Sequence, residues 1–176
     1  MVKQNQVAVT SQVKYLQNIN NPIGNDFKLD VLKMNTTDLV DFILESKPTS
    51  IYKLYKDNEE KTADVIMLML IQFQDFYNCK NKMDKMQLTE TAYIIIQQFR
   101  HFNYYDIGLA LKTAKLNDKI YDRIDGGMIL EWLTRHDIVR TGMIVIKREQ
   151  QNNEYKSNWG QLAEKTSIQK LKEFLK

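Results

Sequence analysis

Apolar positions recur every three or four residues along most of this chain, the period of a helix packing one face on a core. Leu39, Val40, Phe42, Ile43 and Leu44 make the first broad face. The pattern predicts a helix from Thr36 or Thr37, with a threonine capping its free N–H groups and Asp38 at the positive end of the dipole. It should stop before Pro48. A short helix follows over Thr49–Lys56, with Ile51, Leu54 and Tyr55 on one side. Asn58 then opens what reads as the longest helix, running to about Tyr77. Its middle, Val65 to Ile71, is apolar all round, so this helix is expected to cross the core with neighbours on several sides.

Further on, a helix from Thr89 would bury Ala92, Ile95, Ile96 and Phe99. The run Tyr93 to Ile96 also suits a strand, but Thr89, Glu90, Gln97 and Gln98 around it read as helix. Asn103 caps a helix over Tyr104–Lys115, with Ile107, Leu111 and Ala114 at helical spacing. Gly126 to about Arg140 is the next, its core face Met128, Ile129, Trp132 and Leu133. Thr141-Gly142 is expected to break or bend it, and residues 149–160 are polar. A terminal helix from Ser167 carries a stripe of Ile168, Leu171 and Phe174. The expectation is an all-α fold: one bundle of six to eight helices over 27–148, behind an Asn/Gln-rich arm or marginal helix over 1–26. A polar spacer and short amphipathic helix over 149–176 complete it.

Composition narrows the classes. A chain of 176 residues can bury roughly 70% of its unfolded surface as a single domain, without staples. Six Gly and two Pro are too few for a turn-rich β-sandwich. Cys79 is the only cysteine, so an intramolecular disulfide and a cysteine-based zinc site are both excluded, in keeping with a reducing cytoplasm. The start of the chain lacks the apolar core of a secretory signal, and Val65 to Ile71 falls far short of the ~20 residues of a membrane span. The expected location is the cytoplasm of a bacterial host cell, with a virion as the alternative. A net charge of +3 is too small to argue for nucleic acid by itself.

Recognisable chemistry is sparse. His101 and His136 lack a second ligand at helical spacing, so no metal is expected. Gly126-Gly127 opens a helix without a preceding strand, unlike a phosphate loop. There is no Gly-x-Ser-x-Gly elbow, and Cys79 has no partner base in the sequence. No catalytic residue and no cofactor is expected. The densest segment runs from Lys119 to Leu133. In a purely structural reading Asp125 caps the helix, Gly126 and Gly127 permit close approach, and Asp122 pairs with Arg123 or a nearby lysine. Ile120, Ile124, Met128 and Trp132 would dock the turn on the core. In a functional reading Tyr121, Arg123 and Trp132 form a recognition surface for a protein partner. Asp122 and Asp125 beside Arg123 would repel a phosphate, which favours protein over DNA at this turn. Lys80, Lys82, Lys85, Lys112, Lys115 and Lys119 are the candidate contacts to a nucleic-acid backbone, against the alternative of dispersed solubilising charge.

The stretch from about Leu88 to Arg140, with Thr-Glu-Thr-Ala-Tyr-Ile-Ile-Ile, Tyr-Tyr-Asp-Ile-Gly-Leu-Ala-Leu-Lys-Thr-Ala-Lys and the Tyr-Asp-Arg-Ile-Asp-Gly motif beginning at Tyr121, resembles an uncharacterised family. Its members are small helical proteins of Bacteroidetes genomes, their phages and mobile elements, in which an aliphatic pair and Glu-Trp follow the motif. This chain departs from the family pattern at Asp118, where a glycine is usual, and at Thr134-Arg-His-Asp. The resemblance implies a phage or mobile-element setting and brings no catalytic residues. The layout of helices, polar spacer and terminal helix is also similar to phage helicase loaders and replisome organisers. The expected function is therefore a non-enzymatic replication-associated adaptor that binds a partner protein, with DNA as a candidate second ligand and the Ile168, Leu171 and Phe174 stripe entering a groove on the partner. A virion assembly protein that self-associates through ordering arms, and a DNA-binding regulator using Gly126 to Arg140, are the alternatives.

Overall fold

A computed structural model describes residues 14–77 and 79–174, with side chains described through residue 156. The fold is all-α. The helices in chain order are α1 (residues 14–18), α2 (Asn25–Lys33), α3 (Thr36–Ser46), α4 (Ile51–Asp57), α5 (Glu59–Asp75), α6 (Lys85–Gln98), α7 (Tyr104–Asn117) and α8 (Gly126–Phe174). No β-strand occurs among the described residues, and Tyr93 to Ile96 lies in α6. None of the described helices is long and apolar enough to cross a membrane.

Local chemistry sets most of the helix starts. Asn35 and Asp38 form a capping box for α3, at 3.0 and 2.9 Å, so the cap is Asn35 and not the threonines that follow it. Asn58 caps α5 through the N–H of Lys61. Asp84 and Gln87 make a second box, which starts α6 four residues before Thr89. Asn103 accepts from the N–H groups of Tyr105 and Asp106, and Asp106 returns the bond to the Asn103 N–H at 2.8 Å. The end of α3 is marked by Lys47, whose φ of 45° is left-handed, immediately before Pro48. The free N–H groups that open α4 are met by the Phe102 and Arg100 carbonyls.

The central helix is α7, not the apolar α5. Tyr104, Tyr105, Asp106, Ile107, Leu109, Ala110, Leu111 and Ala114 are all buried, so α7 is covered nearly all round. Gly108, Ala110 and Ala114 keep it thin enough for neighbours to close on it; a Cβ at Gly108 would meet Val31 Cγ2 of α2 at 2.9 Å. Helix α5 buries one face, with Ile66, Leu70 and Phe73 inward and Leu68 in solvent. Packing of the large buried side chains, each worth about 1.5–3 kcal/mol, is the main stabilising term.

Two compact units divide the chain at Arg140 and Thr141, eight residues before the 148 boundary that the polar stretch suggested. The first unit holds the core. The second, from Thr141 onward, is the later part of α8. Neither Thr141-Gly142 nor residues 149–160 interrupts that helix, which runs 49 residues. Glu, Gln, Lys and Tyr are polar yet compatible with a helix, Gly142 and Gly160 each cost only about 1 kcal/mol, and no proline intervenes. At the other end, residues 14–24 are packed where composition suggests an arm. Tyr15, Ile19 and Ile23 lie against the core, and buried Asp30 accepts from Asn18 and Tyr105 and pairs with Lys14 at 3.2 Å.

Candidate functional site

Three helices leave an open apolar groove. Helix α2 rests on α7 at Gly108, while α5 lies on the other flank, and the slot along α7 between them has a volume of about 800 Å³. That is within the usual range for a ligand or peptide site. Phe27, Val31 and Leu32 form one wall, Met69, Phe73 and Phe76 the other, and Gly108, Leu111 and Leu116 the floor and end. Leu32, Phe76 and Leu116 stand at the rim with 62%, 63% and 73% of their surface in solvent. Large aliphatic and aromatic side chains left in solvent this way are unusual on a folded surface.

Among the described residues the charged side chains that line the groove are all cations, Lys28, Lys112 and Lys115. Lys112 donates to the Leu32 and Met34 carbonyls, both at 2.8 Å, stapling the end of α2 to α7. Lys115 lies over the rings of Phe76 and Phe73, at 4.4 and 5.4 Å from the centroids. Burial, and then the charge of Lys28, hold the Lys115 ammonium below the ordinary lysine value. Among the described residues neither Lys28 nor Lys115 forms an ion pair.

A second, smaller pocket of about 250 Å³ sits across α7, between Thr36, Asp118, Trp132, Arg135 and His136. Beneath it lies a buried ionic cluster. Asp106 receives Arg140 at 2.6 Å and His136 at 3.3 Å, in addition to the Asn103 N–H. The Arg140 Nε–H does not point along the line to Asp106, so that contact is ionic rather than a directed hydrogen bond. Every member has a fold-holding task, and among the described residues no group of three His, Cys, Asp or Glu is arranged to hold a metal ion. His101 pairs with Asp137 at 2.7 Å on the surface.

The sequence motif is split by the fold. Tyr121 is 85% exposed and Arg123 is also in solvent, but Trp132 is buried against Phe73, with ring centroids 5.3 Å apart. Trp132 therefore belongs to the core and not to a surface with Tyr121 and Arg123. Arg123 pairs with Asp125 at 3.2 Å rather than with Asp122, whose carbonyl accepts from the Asn81 N–H. Asp125 caps α8 through the Met128 N–H, as the sequence suggests. Gly126 permits close approach, since a Cβ there would stand 2.5 Å from Thr91 Oγ1; Gly127 is exposed.

The six lysines do not form one face. Lys80, Lys82, Lys85 and Lys119 are exposed around the α5–α6 and α7–α8 connectors, where Lys82 is taken by Asp75 at 3.1 Å. Asp84, Asp118, Asp122 and Asp125 share that region and offset its positive charge. Lys112 and Lys115 belong to the groove instead. Ile168, Leu171 and Phe174 fall within the span of α8, but their side chains lie outside the described residues. Sequence reasoning missed Lys28, Leu32, Phe76 and Leu116; the available signal was Leu29 and Leu32 beside Phe27 and Val31, more apolar positions than one buried face of a short helix needs. No family model, no curated protein and no solved structure matches the chain.

Proposed function

We propose that this chain is a non-enzymatic adaptor, an accessory of phage or mobile-element replication that holds a partner protein. The open groove between α2, α5 and α7 supports the binding half of that reading, because it joins exposed apolar rim residues to a slot of adequate volume. The replication half rests on the likeness of the Tyr121 to Gly126 motif to proteins of phages and mobile elements, since the unbroken α8 removes the spacer on which the likeness to helicase loaders depends. The balance of lysines and aspartates around the two connectors supports a protein partner ahead of DNA.

Affinity capture from a host lysate, with bound proteins identified by mass, tests this reading. Full-length chain and a form truncated after Lys156 should be compared. Recovery of a helicase, initiator or primase supports the adaptor, and an identical set from both forms removes the Ile168, Leu171 and Phe174 stripe from the mechanism.

A second reading, a virion assembly protein, draws support from the exposed apolar side chains of Ile138, Val139, Val145 and Ile146 on α8. Mass measurement in solution separates the two. A large homo-oligomer favours assembly, and a monomer or dimer favours the adaptor.

A further inference from the structure

We propose that the groove between α2, α5 and α7 receives an acidic amphipathic helix from the partner protein. The inference rests on the adaptor reading and names what the adaptor recognises.

Shape comes first. The slot is walled by two helices and floored by a third, the arrangement left when one helix is missing from a bundle. A helix laid there, in the helix-in-groove mode, would run over Phe27, Val31, Phe73 and Leu111, which are already buried, and would take its apolar contacts at the exposed rim. Its flanks would cover Leu32, Phe76 and Leu116. A small anionic amphiphile confined to the slot would leave those three rim side chains in water, so a broad macromolecular occupant fits the exposed area better.

Charge then selects the helix. Lys28 and Lys115 face the groove without a carboxylate partner among the described residues, and burial, then the nearby Lys28 charge, makes the Lys115 charge costly. Glutamates or aspartates flanking the apolar stripe of an incoming helix would supply both counter-ions. The ends of this chain are poor candidates. Residues 1–13 carry Lys3 and no acid, and residues 157–176 carry Lys165, Lys170, Lys172 and Lys176 against Glu164 and Glu173. A second copy is no better: α3 and α5 already bury their apolar faces in their own core, with Leu39 and Phe42 in one and Ile66 and Leu70 in the other, and the exposed Ile138, Val139, Val145 and Ile146 of α8 stand among Arg135, Arg140, Lys147 and Arg148, more cations than the Glu131, Asp137 and Glu149 beside them.

The test uses full-length protein and two labelled synthetic peptides of equal length. Both carry leucines at helical spacing, one flanked by glutamates and the other by lysines; sodium oleate is the small-amphiphile probe. By fluorescence anisotropy at low salt the acidic peptide should bind about tenfold or more tighter than the basic one. Lys28→Glu should weaken the acidic peptide by about tenfold and improve the basic one, and Leu116→Ser, an exposed rim change, should weaken both. Circular dichroism establishes that each variant folds. Equal affinity for the two peptides, indifference to both substitutions, or tight stoichiometric oleate that the acidic peptide cannot displace would overturn the proposal. Capture of an unchanged replication partner by the Lys28→Glu/Leu116→Ser protein would also overturn it, while leaving the adaptor reading intact.

Discussion

Arg140 Nε stands 2.6 Å from Asp106 Oδ1, and both side chains are enclosed by the core. Asp106 is at once the counter-ion of a residue on α8 and the N3 partner in the box that starts α7. Removing one member of a buried pair leaves an uncompensated charge, which typically costs about 3–5 kcal/mol. Arg140→Met should therefore destabilise the protein by about 3 kcal/mol in urea denaturation at neutral pH. Asp106→Asn with Arg140→Met should be more stable than Arg140→Met alone, because the asparagine can still accept from the Asn103 N–H. A double variant as unstable as the sum of the singles would sink this account.

Gly126 and Thr91 offer a steric test. A methyl group at Gly126 would meet Thr91 Oγ1 at 2.5 Å, and that hydroxyl is held by its bond to the Gln87 carbonyl at 2.7 Å. Gly126→Ala should cost about 1–3 kcal/mol through overpacking. Thr91→Ala clears the obstruction, so the pair should cost less than the two single changes together, measured as a double-mutant cycle.

The tyrosines predict the alkaline limit. Burial raises the Tyr105 hydroxyl far above its ordinary 10.0, helped by the nearby Asp30 charge and by the hydrogen bond to Asp30. Burial likewise raises Tyr15, Tyr77 and Tyr104. Above pH 10 the unfolded chain gives up these protons and the folded one keeps them, so stability is full below that pH and falls as pH rises past it. Lys115 acts in the opposite sense, since its lowered folded value makes stability rise with pH up to the unfolded value of 10.5. The four tyrosines outweigh it. The urea midpoint should drop above about pH 10, and Tyr105→Phe should make that decline shallower by up to about 1.4 kcal/mol per pH unit. At neutral pH the same change should cost about 1 kcal/mol for the lost hydrogen bond.

Lys47 closes α3 with a φ of 45°, a conformation that costs a side-chain-bearing residue about 1–2 kcal/mol. Lys47→Gly removes that strain and adds back part of it as unfolded-state entropy. The thermal midpoint should rise slightly or hold; a fall of several degrees would contradict the assignment.

Local signals in the sequence were faithful where one residue controls one event. Asn103 announced the start of α7, Asp125 that of α8, and Pro48 the end of α3. Competing caps blurred the rest: α3 starts at Thr36 as expected but its cap is Asn35 and not a threonine, and the start of α6 is moved from Thr89 to Lys85 by the Asp84–Gln87 box. Helix α2 went unread because it is only nine residues long and follows a turn-rich stretch. Polar residues between 149 and 160 were mistaken for a spacer, although polarity sets which face meets water and does not end a helix. Beyond the surplus apolar positions of α2, the groove has no linear signature. It exists because residues from three helices fail to cover one another, and Leu32, Phe76 and Leu116 lie as far apart as 84 positions. The same holds for Asp106, whose partners His136 and Arg140 share a helix face but lie 30 residues and more away.

Asn81 donates its N–H to the Asp122 carbonyl at 3.2 Å and accepts from the Ile124 N–H at 3.0 Å, the bridge between two connectors that otherwise hold no regular structure together. Gln74 grips the next residue but one, bonding both the N–H and the carbonyl of Met83. A protease must lift a stretch of backbone out of the fold before cutting it. Trypsin sites at Lys80, Lys82, Lys119 and Arg123, all exposed as side chains, are therefore sheltered as main chain: neither connector can be threaded into an enzyme cleft until its neighbour lets go, and nicking at either place should follow the opening of both.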